Sequence, residues 1–250
     1  MRRVMFAAGI VLVGLGQCVS SAWAQDGGAA AWMSICDQAT GGPLDETWPR
    51  IDRKAAVPAC EAAAKAAPGD PHVAFRLGQA YYAAKAYEAA RAQYEKASAA
   101  DHLAATAILG ALYSRGIGGP IDAQRAIALW EKAANGGQAN AMNNLGSRYE
   151  VGLRGVTKDL TAARHWYQKA AEAGHAAAMN NFGRMLGNGA GGPQDLVEAR
   201  RWYQRSAEAG HREGMYNFSV ALREGEGGPQ NSVEALYWLQ KAAKAGDLAP

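Results

Sequence analysis

NAMNNLGSRYEVGLRGVTKDLTAARHWYQKAAEAGH, residues 140 to 175, is a unit that most of the chain repeats. Leu145-Gly146 opens it, Asp159 stands at its middle, and Trp166-Tyr167, Lys169-Ala170-Ala171 and Gly174 close it. The same order returns as Phe182-Gly183, Asp195, Trp202-Tyr203, Ala207 and Gly210, and again as Phe218-Ser219, Asn231, Trp238, Lys241-Ala242-Ala243 and Gly246. A looser copy upstream has Leu109-Gly110, Asp122, Leu129-Trp130, Lys132-Ala133-Ala134 and Gly137. The lysine-type position recurs at Lys96, Lys132, Lys169, Arg205 and Lys241, in steps of 36, 37, 36 and 36 residues. Periods of this size build solenoids, in which a unit buries its apolar face only by stacking on its neighbours.

Each copy reads as two helices around a glycine-rich connector: Gly116 to Pro120, Gly152 to Gly155, Gly187 to Pro193 and Gly225 to Pro229. Asp122, Asp159, Asp195 and Asn231 follow as N-caps for the second helix, and Asp195 with Glu198 and Asn231 with Glu234 are expected to complete capping boxes. Gly146 and its counterparts allow close helix approach, as do Ala163, Ala199 and Ala235, while Trp166, Trp202 and Trp238 bring apolar area to the seam. Gly174 and Gly210 suit the left-handed residue after a helix.

Before the repeats, a helix is expected from Ile51 to Ala67, ended by Pro68-Gly69-Asp70-Pro71, then one from His72 to about Ala84 and one from Tyr87 to Ala100. Leu77-Gly78, Tyr81, Ala90, Tyr94 and Ala97 resemble the tetratricopeptide repeat. From His102 onward the pattern A-x-x-L-G-x-x-Y-x-x-G, a glycine-rich turn, D-x-x-x-A and W-Y-x-K-A-A-x-x-G resembles the Sel-one-like repeat (SLR), a variant of that hairpin. Ser219, Leu186, Leu222 and Leu129-Trp130 depart from it. The resemblance implies an all-α, right-handed α-solenoid of one tetratricopeptide-like unit (51–101) and four SLR units (102–250).

Residues 1 to 24 read as an export signal: Arg2-Arg3, an apolar core from Val4 to Leu15, and Ala22-Trp23-Ala24 before cleavage at Gln25. Gln17 stands where a lipoprotein site at Cys18 would want a small residue. Residues 25 to 50 are expected to be irregular, given Gly41-Gly42-Pro43 and Trp48-Pro49. Export leaves Cys36 and Cys60, and an even count in an oxidising compartment reads as one disulfide. The expected location is periplasmic or secreted, with no membrane attachment after cleavage.

The 250 residues carry a formal charge of +3. Without Arg2 and Arg3 the count is 24 basic to 23 acidic residues, so electrostatics give no support for nucleic acid or anionic lipid as partner. Gly187-Asn188-Gly189-Ala190-Gly191-Gly192 has the letters of a dinucleotide fingerprint but no strand before it. His102, His175 and His211 share one repeat position, roughly 10 Å or more apart between stacked hairpins, too far to share a metal. No serine-nucleophile motif occurs, and Glu224 and Glu226 lie in a connector without apolar surroundings. No cofactor, metal or catalytic set is expected.

What remains is surface. In the resembled families the first helices line a concave side that binds peptide. Projected here, that selects Gln79, Tyr82, Asn143, Ser147, Glu150, Asn180, Arg184, Tyr216 and Arg223, with Asn143 and Asn180 forming an amide ladder for an extended peptide, or else solvating their own helices. Leu236, Tyr237 and Leu239 are expected to mark the last repeat as a docking or self-association face, or else to be covered by the tail folding back over them. The resemblance thus implies a non-catalytic periplasmic scaffold for a peptide or envelope protein, in envelope signalling or exopolysaccharide regulation. The alternative is a cell-wall or β-lactam hydrolase of the cysteine-rich SLR type, although those carry a disulfide in each repeat and residues from His102 onward contain no cysteine.

Overall fold

The computed structural model describes residues 29–40, 53–152 and 155–247, all helix or short connection with no strand among them. The leader and residues 41–52 lie outside the described residues. Among the described residues twelve helices pair into six hairpins: α1 (Ala29–Thr40) with α2 (Arg53–Ala66), α3 (Pro71–Ala83) with α4 (Tyr87–Ala99), α5 (Leu103–Arg115) with α6 (Ala123–Asn135), α7 (Ala139–Val151) with α8 (Leu160–Glu172), α9 (Ala176–Gly187) with α10 (Leu196–Glu208), and α11 (Arg212–Glu224) with α12 (Ser232–Asp247). Successive first helices also meet, α1 with α3, α5 with α7 and α9 with α11, so the first helices line the inner side of the stack.

The hairpin α1–α2 corrects two expectations: residues 25–50 are not irregular throughout, and the array has one hairpin more than the repeat pattern marks. The cause is local. Cys36 and Thr40 are buried on one face of α1, Trp32, Met33 and Ala39 are partly buried with them, and that face meets Ala56, Cys60 and Ala63 of α2. A disulfide joins Cys36 to Cys60, their Cα atoms 4.8 Å apart.

Within the hairpins the glycine of the first helix faces the ring of the second. A β-carbon on Gly110 would lie 2.6 Å from Trp130, on Gly146 2.6 Å from Tyr167, and on Gly183 2.8 Å from Tyr203, so helix approach excludes a side chain there. Trp166 does not fill this seam as expected: it is only partly buried, and Tyr167, 2% exposed, takes the place against the glycine. Trp202 and Trp238 are buried and pack edge-on against Phe182 and Phe218 of their own hairpins.

The expected caps form: Asp122, Asp159 and Asp195 each accept from the backbone N–H three residues on at 2.9 Å, and Asn231 does so at 3.1 Å. The reciprocal half of the capping box does not. Asp195 N–H donates instead to the Leu186 carbonyl at 2.9 Å, and Asn231 N–H to that of Leu222 at 2.8 Å. Asp122 and Asp159 repeat this with Tyr113 and Tyr149. The connector thereby pairs a free donor with a free carbonyl at the end of the first helix, and no side chain is needed.

Connectors also clamp the preceding hairpin. Arg164 donates to the Pro193 carbonyl at 2.9 Å, Arg200 to that of Pro229 at 3.0 Å, and Arg91 to that of Pro120 at 3.4 Å. The remaining connector has Ile127 at the arginine position and Thr157 at the proline position, and Gly155 has nothing within 4 Å of where its β-carbon would be.

Candidate partner-binding groove

A cleft of about 570 Å³ opens on the inner side, across α3, α5, α7 and the start of α9. Phe75, Ala107, Ile108 and Ala111 make its apolar floor. Gln138, Asn140, Asn143 and Asn144 line one flank, and His72, Arg76 and His102 the other, with His175 at the end. No carboxylate lines it.

The histidines are placed by backbone chemistry. His102, His175 and His211 are the N-caps of α5, α9 and α11, and their Nδ1 atoms accept from Ala105, Ala178 and Gly214 N–H at 3.2, 3.1 and 3.2 Å. An accepting Nδ1 leaves the proton on Nε2 and the ring neutral. His102 also stacks on Phe75, ring centroids 4.4 Å apart. Its pKa falls below the ordinary histidine range, first because burial disfavours the cation and then because His72 stands nearby. His72 Nε2 and Arg76 Nε each approach Asp37 of α1, at 3.0 and 2.8 Å. Among the described residues no group of three histidines, cysteines or carboxylates could hold a metal ion.

The expected binding residues separate into three groups. Asn143 lines the cleft, Ser147 and Tyr216 are exposed, and Arg223 is exposed beside Glu224 at 2.8 Å. Tyr82 is partly buried, its ring 5.2 Å from that of Tyr87. Glu150 and Arg184 pair with each other at 2.7 Å, and Glu150 also accepts from the Tyr167 hydroxyl at 2.9 Å. Burial and that carboxylate raise the Tyr167 pKa, so the hydroxyl stays a donor.

Gln79 and Asn180 are buried, 2% and 7% exposed, and neither presents its amide on an open surface. Gln79 accepts from Arg76 at 3.1 Å. The amide ladder exists in a different register from the expected one: Asn181 donates to Asn143 at 3.1 Å, and Asn217 to Asn180 at 2.7 Å. Each rung runs from Asn181 or Asn217, which share the repeat position of Asn144, to the residue at the repeat position of Asn143 in the hairpin before. The ladder therefore ties the first helices together, and only its start at Asn143 and Asn144 opens into the cleft. Spacing alone pointed to the repeated residue; Phe75, Ile108 and Asn140 at the cleft were missed because they do not repeat.

Residues 103–138, 139–175, 176–211 and 212–247 each match the Sel1 repeat, together more than half of the chain. Among solved structures, the chain is similar to a protective antigen present in uropathogenic Escherichia coli strains displaying an SLR fold, with a TM-score of 0.74 and 26% identity. That match covers 89% of this chain and 47% of the antigen, so the chain spans about half its length. A Sel1 repeat protein from Oxalobacter formigenes is similar at a TM-score of 0.69 and 30% identity, covering 75% of this chain and 80% of that one. An immunity protein from Pseudomonas aeruginosa, at 0.52 and 18% identity over 87% of this chain and 81% of its own, shares the fold alone. No curated protein matches the chain.

Proposed function

Because the chain belongs to the Sel1 repeat family, whose members generally mediate protein–protein interaction as non-catalytic scaffolds, we propose that it is an exported adaptor holding an extended peptide segment of an envelope protein in its inner cleft. The observation that carries this reading is the cleft itself: amides of Asn140, Asn143 and Asn144 beside an apolar floor of Phe75, Ala107 and Ile108. Amides both donate and accept, which suits a peptide backbone, and the floor suits an apolar side chain. The leader and the Cys36–Cys60 bond support export, since disulfides persist in oxidising compartments.

A photo-crosslinking residue in place of Ile108 tests the cleft, with one in place of exposed Ala128 on the outer side as control. Adducts to a discrete protein from position 108 and none from 128 are expected in intact cells. Equal labelling from both, or none from 108, would sink the cleft as the binding site. Fractionation tests export separately: a periplasmic chain beginning at Gln25 is expected, and a cytoplasmic chain keeping Met1 would remove that half of the reading.

A further inference from the structure

The last hairpin, α11–α12, leaves more large apolar side chain uncovered than the hairpins before it. Five large apolar side chains there stay in water: Val233 is 84% exposed, Leu236 56%, Tyr237 55%, Tyr216 53% and Leu239 40%. At the same repeat positions the two preceding hairpins carry Asn143 and Asn180 for Tyr216, Arg164 and Arg200 for Leu236, and His165 and Arg201 for Tyr237. Three polar positions have thus become apolar in one hairpin. Together the five leave on the order of 500 Å² of side chain uncovered, more than scattered surface residues would and a large share of the about 800 Å² per partner of a standard interface.

The shape of this end says what fits it. Tyr216, Leu239, Ala242, Ala243 and Gly246 frame a groove of about 480 Å³ with Arg212 and Glu213 at its rim. The counterparts one hairpin earlier are Asn180, Tyr203, Ser206, Ala207 and Gly210, and there the place is filled by α11, with Gly214 against Ser206 and Asn217 bonded to Asn180. The groove therefore continues the established seam between hairpins, and a helix is its natural occupant. Beside it, Val233, Leu236, Tyr237 and Gln240 fall at helical spacing i, i+3, i+4 and i+7 and form a ridge on α12. Ridge and groove are neighbouring faces of α12, which is what a self-complementary contact needs.

We propose that this end joins a second copy of the chain across a two-fold axis, the α12 ridge of each copy lying in the groove of the other. Arg212 and Glu213, 3.6 Å apart within one copy, supply both charge signs at the rim, so each can meet its opposite across the axis. The contact leaves the inner cleft open and is independent of what that cleft binds.

Sedimentation equilibrium on the full chain tests it, and twice the monomer mass is expected at micromolar concentration. Leu236→Arg with Tyr237→Arg, which restores the residue type of the preceding repeat, should raise the dimer dissociation constant about a hundredfold or more while leaving helical circular dichroism unchanged. Gln240→Cys should form an interchain disulfide on oxidation, and Gln204→Cys, one repeat earlier, should not. A monomer at all concentrations, a dimer that survives both arginine substitutions, or equal crosslinking from positions 204 and 240 would each overturn the proposal.

Discussion

The hairpins up to α7 and those after it stack alike but are tied by different chemistry. In the first group a tyrosine of each first helix donates to a glutamate of the preceding hairpin: Tyr81 to Glu61 at 2.6 Å, Tyr113 to Glu95 at 2.7 Å, and Tyr149 to Glu131 at 3.5 Å. The Tyr81 pKa is pushed up to about 12, chiefly by its bond to Glu61. From α9 onward the tyrosine position holds Leu186 and Leu222 and the glutamate position Gln168 and Gln204. Both members of the pair have changed together, and the seam is tied through Asn143–Asn181 and Asn180–Asn217 instead. The polar tie can thus move from one edge of the seam to another while the glycine-to-ring contact inside each hairpin is kept as far as α10. The hairpin α1–α2 is also joined covalently, through Cys36 and Cys60, and among the described residues no other hairpin is.

That contrast predicts where reduction is felt. Breaking the Cys36–Cys60 bond, 24 residues apart in sequence, frees a loop whose closure is worth about 3 kcal/mol in the chain-entropy account. In a nearest-neighbour array the loss stays local. Hydrogen exchange after reduction should show protection lost over α1 and α2 and retained over α9 to α12. A uniform loss along the chain would mean that the two halves unfold as one unit.

The repeats were legible because the residues that set them recur: the glycine facing a ring, the aspartate at an N-cap, the glycine after a helix. Each obeys a local constraint that any copy must meet. Gly174 and Gly210 have φ of 88° and 87°, and Asp101 holds the equivalent place at 59°. The hairpin α1–α2 was hidden because a covalent bond and a few small side chains do for it what the motif does elsewhere. The cleft was legible only in part for the opposite reason. Asn143 and Asn180 share a position in the sequence and each accepts from an asparagine of the next hairpin, yet Asn143 lines the cleft and Asn180 is buried. The start of the ladder is open and its next step is buried, and no single-repeat pattern distinguishes them.

The glycine contact gives a second separation. Alanine at Gly110 would put a β-carbon 2.6 Å from the Trp130 indole, which is held in place by its N–H bond to the Ala107 carbonyl at 3.0 Å. Overpacking of this kind costs about 1–3 kcal/mol, less up to about 1 kcal/mol regained from the better helix propensity of alanine. In the last hairpin the same two positions hold Ser219 and Leu239, so a β-carbon is already present. Ser219→Ala should therefore change stability by no more than about 1 kcal/mol. Urea titrations of the two variants check this, and equal losses would show that the ring opposite the glycine does not set the spacing.

The smallest effect is the most specific to the contrast between the halves. Tyr113→Phe removes only the hydroxyl that donates to Glu95, leaving the ring under the Arg91 and Arg125 guanidinium groups, 3.7 and 4.4 Å from its centroid. Glu95 keeps some access to water, which refills part of the lost bond, so about 1 kcal/mol is expected. The reverse exchange in the other half should need both partners. Leu186→Tyr alone places a hydroxyl near Gln168 and should gain nothing, and Gln168→Glu alone leaves a carboxylate beside leucine. Combined, they should recover a coupling of about 0.5–1 kcal/mol in a double-mutant cycle. Strictly additive effects would mean that the paired change of tyrosine and glutamate along the chain reflects no contact, and the two halves would then differ in composition without differing in how they are joined.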